Sequence, residues 1–166
     1  MAVAKKEVAK LIMPTVADSN AFGGKKSNIE RLADADSPEA QANLMREMVG
    51  DLSGVEVMGN RVLVGIYIEP SKRKGSGLFL AKETLKESVY QGVVGLVLKL
   101  GKQAFKDDPD NKVSFYGQAA TEGQWVTFRA GDAKRTQIRG IDCRMVEDTL
   151  IDLIVTDPGS ITHEKI

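Results

Sequence analysis

The strongest fold signal in the chain is the run Asn60-Arg61-Val62-Leu63-Val64-Gly65-Ile66-Tyr67-Ile68, which is closed by Pro70. The run is rich in β-branched residues, which are enriched in strands, and a proline cannot continue the ladder of hydrogen bonds. A second run, Gly92-Val93-Val94-Gly95-Leu96-Val97-Leu98-Lys99-Leu100, is apolar almost throughout. Such a run indicates a strand that is buried on both faces or forms a barrel wall.

Three shorter strand patterns follow toward the C-terminus. They are predicted at residues 124–129, 138–145 and 150–155, with an excursion at 102–123 that has space for a hairpin. In the second of these strands the apolar and polar residues alternate: Ile141, Cys143 and Met145 against Asp142 and Arg144. Several short strands separated by turns predict a mainly β fold, in the form of a small, partly open β-barrel.

The first 54 residues show helix and loop signals instead, with too little apolar content to fold alone. Ser37 is a candidate N-cap, Pro38 fits the first helical position and Gly50 follows good helix formers, which predicts a helix near 38–49. Another short helix is predicted over residues 5–12. These residues are either a floppy leader or, as we favour, an arm that packs on a neighbouring subunit or a larger assembly. The predicted parts are the N-terminal arm with short helices (1–54), the barrel (55–157) and a C-terminal tail (158–166).

The composition and charge of the chain limit the classes of function that it can have. The chain has 166 residues, of which 42% are hydrophobic and 28% charged, as expected for one globular domain with an appendage. Lys+Arg and Asp+Glu both number 23, so nothing in the balance favours nucleic acid or an anionic membrane as a partner. No apolar run approaches the ~18 residues of a membrane span. The lone Cys143 excludes an intramolecular disulfide and favours a reducing, cytoplasmic location.

Residues with reactive side chains form no recognisable catalytic or metal-binding pattern. A single histidine, His163, leaves no ligand set for zinc. Asp107, Asp108 and Asp110 suggest calcium, but Pro109 and the lack of a central glycine and a closing glutamate break the ligand pattern. We therefore predict no catalytic residue, no metal and no cofactor, and expect a protein that works by binding and is not an enzyme.

A candidate binding segment lies between the two strongest strands, with the sequence Lys72-Arg73-Lys74-Gly75-Ser76-Gly77-Leu78-Phe79-Leu80-Ala81. Its glycines make the backbone permissive and costly to order. A loop of this kind rarely carries a bare apolar triplet. Leu78, Phe79 and Leu80 therefore either pack in the barrel as a strand or dock into a groove of a partner.

The stretch from about Met58 to Val155 resembles the GroES-type co-chaperonins, through five weak matches in the family's order. Asn60-Arg61-Val62-Leu63-Val64 is similar to the family's opening strand, and residues 75–80 are similar to its mobile loop. Residues 91–97, with Gly101 beyond them, residues 124–128 and residues 145–154 resemble its later strands. No single match is decisive, but their order is much more specific.

The resemblance implies a GroES-like barrel that assembles as a homo-oligomeric ring, a heptamer in the family. Such a ring is a lid that docks on a nucleotide-bound GroEL-type chaperonin and assists protein folding. Carried onto this chain, Leu78, Phe79 and Leu80 would be the anchors of the partner-binding loop, and Gly75 and Gly77 would be its hinge. Each buried anchor contributes ~1.5–3 kcal/mol and ordering the loop costs ~1–2 kcal/mol per residue, so one loop binds weakly and a ring of loops binds well.

An alternative stays open because the chain departs from the family. It has 54 residues ahead of Val55, and Arg129-Ala130-Gly131-Asp132-Ala133 replaces an element expected after the fourth strand. Viral capsid decoration or cement proteins also use compact β-barrels, and an arm would tie such a protein to the major capsid protein. A phage-encoded co-chaperonin would account for both departures. The expected location is the host cytoplasm in that case, and the virion under the capsid alternative.

Overall fold

The computed structural model describes residues 25–70, 84 and 93–161. Within these residues the chain forms two α-helices and six strands, together with three 3₁₀ turns. The elements are α1 (Asn28–Ala33), α2 (Pro38–Val49), β1 (Arg61–Ile66), β2 (Val94–Leu100), β3 (Trp125–Phe128), β4 (Lys134–Ile138), β5 (Ile141–Glu147) and β6 (Ile151–Val155).

The strands form one antiparallel sheet in the order β4-β5-β1-β2-β3-β6. The two strongest sequence signals, now β1 and β2, lie side by side in its middle, and Ile66 pairs with Gly95. Every residue from Val62 to Ile66 is buried, as are Val94 to Leu98. Both strands are therefore covered on both faces, which the unbroken apolar run of β2 predicts.

A short link between β5 and β6 requires the sheet to curl. These strands are separated by β1, β2 and β3, which in a flat sheet is four strand spacings or about 19 Å. The chain from Glu147 to Ile151 can extend over no more than about 14 Å. The two ends of this link also lie at different positions along the strands. Glu147 pairs with Arg61 at the start of β1, whereas Ile151 pairs with Phe128, which lies beside the start of β2. Curl and stagger together make a barrel wall.

The predicted fold class is confirmed: a mainly β, partly open barrel-like sheet with short helices in the N-terminal part. In the described part of the chain no ladder joins β4 to β6, so these two strands are the edges of the opening.

The predicted helix near 38–49 is confirmed as α2. Ser37 Oγ accepts a hydrogen bond from Ala40 N at 3.1 Å, Pro38 occupies the first turn, and Gly50 ends the helix with a φ of 70°. The helix packs on β1 so closely that a Cβ at Gly65 would lie 2.2 Å from Met45 Sδ. The absent side chain at Gly65 is thus what allows α2 to approach the sheet.

Helix α1 begins with a capping box, in which Ser27 and Glu30 exchange hydrogen bonds. Its Leu32 and Ala33 are buried in the same apolar core as α2 and the strands. Residues 28–49 of the predicted arm therefore pack on the barrel of their own chain. The division at residue 54 stays a prediction, and residues 1–24, with the helix expected over 5–12, lie outside the described residues.

The prediction of one strand over residues 138–145 is wrong in its boundaries. The structure has a hairpin, β4–β5, whose turn is Arg139-Gly140 with positive φ values of 49° and 78°. Two consecutive positive φ values are typical of the tight turns that join antiparallel strands. Arg144, one of the polar residues in the alternating pattern, is 1% exposed and donates to Cys143 O at 2.9 Å.

The excursion over residues 102–123 is held to the barrel by Asp148. This buried carboxylate accepts hydrogen bonds from Asn60 Nδ2 at 2.9 Å, Phe105 N at 3.0 Å and Thr149 N at 2.7 Å. In place of a full hairpin the excursion has one isolated β-bridge, Asp108 to Val113.

Candidate functional site

The segment predicted to bind a partner connects β1 to β2. Leu78, Phe79 and Leu80, with Gly75 and Gly77, lie outside the described residues, so their roles stay predictions. The residues on either side are described, and they lie next to each other: Tyr67 N donates to Val94 O at 3.0 Å. The connection therefore leaves and rejoins the barrel at one end, between two paired strands.

The outgoing side of this connection is held by a buried glutamine of α2. Gln41 is 2% exposed, and its side-chain amide binds both backbone groups of Ile68: Oε1 accepts from Ile68 N at 3.0 Å and Nε2 donates to Ile68 O at 2.7 Å. Nε2 also donates to Leu32 O at 3.0 Å, at the end of α1. At Ile68, beyond the last pair of β1 with β5 (Gly65 with Cys143), a side chain thus takes the place of a neighbouring strand, and it joins both helices to the start of the connection.

An aromatic pair supports the same side. Tyr67 and Trp125 make an edge-to-face contact with ring centroids 5.4 Å apart and an interplanar angle of 84°. Trp125 is buried. Burial raises the pKa of the Tyr67 hydroxyl, and the carboxylates of Asp157 and Glu69 raise it further. The hydroxyl therefore stays protonated throughout the neutral range.

The returning side is held by β3 and by close packing on β1. Phe128 N donates to Val93 O at 2.9 Å, so pairing begins directly where the described chain resumes. A Cβ at Gly95 would lie 2.8 Å from Val64 Cβ, a distance that real side chains do not show. The strand backbones approach here only because residue 95 has no side chain. Both sides of the connection are therefore fixed.

Reactive groups in the described residues are occupied by structural roles. Cys143 is fully buried, and burial raises the pKa of its thiol to about 11, which suppresses the nucleophilic thiolate. Asp108 accepts hydrogen bonds from Asn111 and from Asp110 N within its turn, and those bonds, led by the one from the Asn111 side chain, lower its pKa. Arg139 donates to Val49 O at 2.5 Å and Asp51 O at 3.3 Å, at the end of α2.

In the part of the chain that the structure describes, His, Cys, Asp and Glu nowhere form a group of three or more that could hold a metal ion. None of the helices there has the length and apolar character needed to cross a bilayer. His163 lies outside the described residues, and the expectation that the protein is not an enzyme stays a prediction.

The sequence analysis missed Gln41. A local signal existed, because Gln41 lies one helical turn from Met45 and two from Val49, on the buried face of α2. A polar residue on that face must find partners. Its partner Ile68 is 27 positions away, however, and nothing in the local pattern identifies it.

Comparison with known proteins adds no relative. No protein-family model matches the chain, and no curated protein matches it.

Proposed function

We propose that the protein is a co-chaperonin-like binding protein, a ring-forming lid that docks on a nucleotide-bound GroEL-type chaperonin through Leu78, Phe79 and Leu80. The observation that carries the proposal is the fixed base of the β1–β2 connection. Gln41 holds Ile68 on one side, and β3 holds Val93 on the other. A segment presented from a rigid base at one end of a barrel suits docking into a groove.

The energetics favour a lid with several copies. Ordering a loop costs ~1–2 kcal/mol per residue, so three buried anchors of ~1.5–3 kcal/mol each leave little net affinity for one chain. Fixed ends reduce that cost, because fewer backbone angles remain to be ordered. Several loops on one ring would then bind together by avidity and still release singly, as a cycling lid requires.

Cosedimentation with a bacterial chaperonin, with and without ATP, tests the proposal. The protein should sediment with the chaperonin only with nucleotide, and Phe79→Asp should abolish binding because it buries an unpaired charge at an anchor. Met58→Asp is the matched control: Met58 is 67% exposed and precedes β1, at the end opposite the connection. It should bind as wild type does.

Absence of binding by a folded, assembled wild-type protein would contradict the lid function. That result would favour the capsid alternative, which a binding assay on the major capsid protein would then address.

A further inference from the structure

The excursion over residues 102–123 has an unusual backbone. In the described part of the chain, four residues other than glycine have positive φ values. Three of them lie in this excursion: Phe105 at 57°, Lys112 at 56° and Tyr116 at 54°. Positive φ is uncommon outside glycine, and for a bulky side chain it is a true outlier. Because such strain is concentrated at functional sites, the cluster points to a function for the surface that these residues share.

All three residues line one cleft, which lies between the excursion and β6 and has a volume of about 920 Å³. Small-molecule sites in proteins have volumes in this range. Aromatic side chains in the lining are those of Phe105, Phe115 and Tyr116. Polar side chains line it as well, among them those of Lys112, Gln118 and Asp152. The cleft therefore suits a ligand that has both an apolar face and polar groups.

Tyr116 is presented from a tight turn. Gln118 N donates to Phe115 O at 2.9 Å, and the two residues between them, Tyr116 and Gly117, have φ values of 54° and 78°. A turn with two consecutive positive φ values prefers asparagine or glycine at the place that Tyr116 occupies. The tyrosine is nevertheless 89% exposed, so packing on its own described chain does little to offset the strain. A ring held in solvent in this way is suited to contact with a ligand.

The other two aromatic residues of the cleft are fixed in place. Phe105 and Phe115 form an edge-to-face pair with ring centroids 5.5 Å apart. Phe105 N donates to Asp148 Oδ2 at 3.0 Å, and Phe115 N donates to Asp107 Oδ1 at 2.7 Å. Tyr116 therefore follows a residue that is held by both its ring and its backbone. A site that is ordered before its ligand arrives loses less conformational freedom on binding.

The polar groups of the cleft indicate the chemical class of the ligand. Lys112, Gln118 and Asp152 are exposed and offer hydrogen-bond donors and acceptors together. One lysine faces the carboxylates of Asp152 and the buried Asp148, so the cleft has no excess of positive charge to attract a phosphate or sulfate. An entirely apolar ligand would remove water from these groups and return no hydrogen bonds. A neutral ligand with many hydroxyl groups fits this lining.

We propose that the cleft binds a neutral saccharide, with the ring of Tyr116 against one face of a sugar. The C–H bonds on one face of a sugar ring pack on an aromatic ring, and the hydroxyl groups around its edge donate and accept hydrogen bonds. Tyr116 supplies the first kind of contact, and the amide of Gln118 and the carboxylate of Asp152 supply the second. This binding activity goes beyond the proposed function and does not rest on it.

A glycan array, followed by NMR titration with the neutral trisaccharides maltotriose, mannotriose and tri-N-acetylchitotriose and with the best array glycan, tests the proposal. Wild type should bind neutral glycans and show shifts in the amide signals of residues 115–118. Tyr116→Asn removes the ring and gives the turn a residue that it prefers, so the variant should melt no lower than wild type. It should bind about tenfold or more weakly.

Two control variants accompany the measurement. Tyr116→Phe keeps the ring and should retain most of the affinity, and Met58→Asn changes an exposed side chain outside the cleft and should bind as wild type does. A folded wild-type protein that binds no glycan on the array would overturn the proposal. So would equal binding by Tyr116→Asn, or a preference for the sulfated polyanion heparin over every neutral glycan.

Discussion

The wall of the barrel that α2 covers and the free edge at β6 differ in exposure. On the covered wall, Cys143 and Arg144 are sequence neighbours that point to opposite faces, and both are fully buried. At the free edge, Leu153 and Ile154 are also neighbours, and both are about half exposed. We therefore expect the side chains of the covered wall to contribute more to the stability of the chain than those of the free edge.

The largest effect is expected from Met45→Ala on the covered wall. Met45 is fully buried against Gly65, and truncation of such a side chain leaves a cavity. The free energy of unfolding should fall by about 2–5 kcal/mol. Urea unfolding measures it, with Leu153→Ala at the free edge as the matched control. A loss for Met45→Ala no greater than for the control would contradict the contrast between the two regions.

Gln41→Leu should lower the free energy of unfolding by about 1–3 kcal/mol, because the buried backbone N–H and C=O of Ile68 lose the side-chain amide that binds both. Asn43→Leu, at an exposed position of the same helix, is the control and should be nearly neutral. Amide hydrogen exchange gives a second readout, since Ile68 N should lose protection in Gln41→Leu. Unchanged exchange at Ile68 would show that the side chain does not hold the start of the connection.

Alkaline pH should weaken the covered wall through Cys143. The folded pKa of the thiol, about 11, lies above its ordinary value of 9.0 because of burial. Above pH 9 the unfolded chain has lost a proton that the folded chain keeps, so stability present below pH 9 is lost as the pH rises toward 11. Between these pH values the free energy of unfolding should fall by up to about 1.4 kcal/mol per pH unit.

Urea unfolding of wild type and Cys143→Ala between pH 8 and 11 isolates this contribution. The free energy of unfolding of wild type minus that of Cys143→Ala should fall as the pH rises above about 9 and should be constant below it. Tyr67 also has a raised pKa but is present in both proteins, so its effect cancels. Parallel pH profiles for the two proteins would contradict the prediction.

The smallest effect is expected at the free edge. Ile154→Ser should change the free energy of unfolding by no more than about 0.5 kcal/mol, because the side chain of Ile154 is about half exposed. Urea unfolding at low protein concentration measures it. A loss of several kcal/mol would mean that Ile154 belongs to the core of its own chain, and the contrast between wall and edge would fail.

Local signals predicted the parts of this fold that depend on neighbouring residues. Ser37, Pro38 and Gly50 mark the ends of α2 through capping chemistry, which acts within one turn. The apolar runs of β1 and β2 predicted their burial. Arg139-Gly140 was missed as a turn because it lacks the Asn-Gly or Asp-Gly pair typical of such turns.

The remaining features depend on contacts between distant parts of the chain. Arg144 alternates with apolar residues as a solvent-facing residue would, and only packing of the folded chain on both faces of β5 buries it. The hydrogen bonds between Gln41 and Ile68 likewise follow from the docking of α2 and from no local pattern. The predicted anchors and hinge of the docking segment lie outside the described residues and stay predictions.

The short link from Glu147 to Ile151 also sets an order of folding. β6 can reach β3 only after β5, β1, β2 and β3 have come together and curled, because the link is too short to cross a flat sheet. The amide protons of β6 should therefore report the last step of barrel formation. The free edge at β6 would then exist in its ordered form only in chains whose barrel is complete.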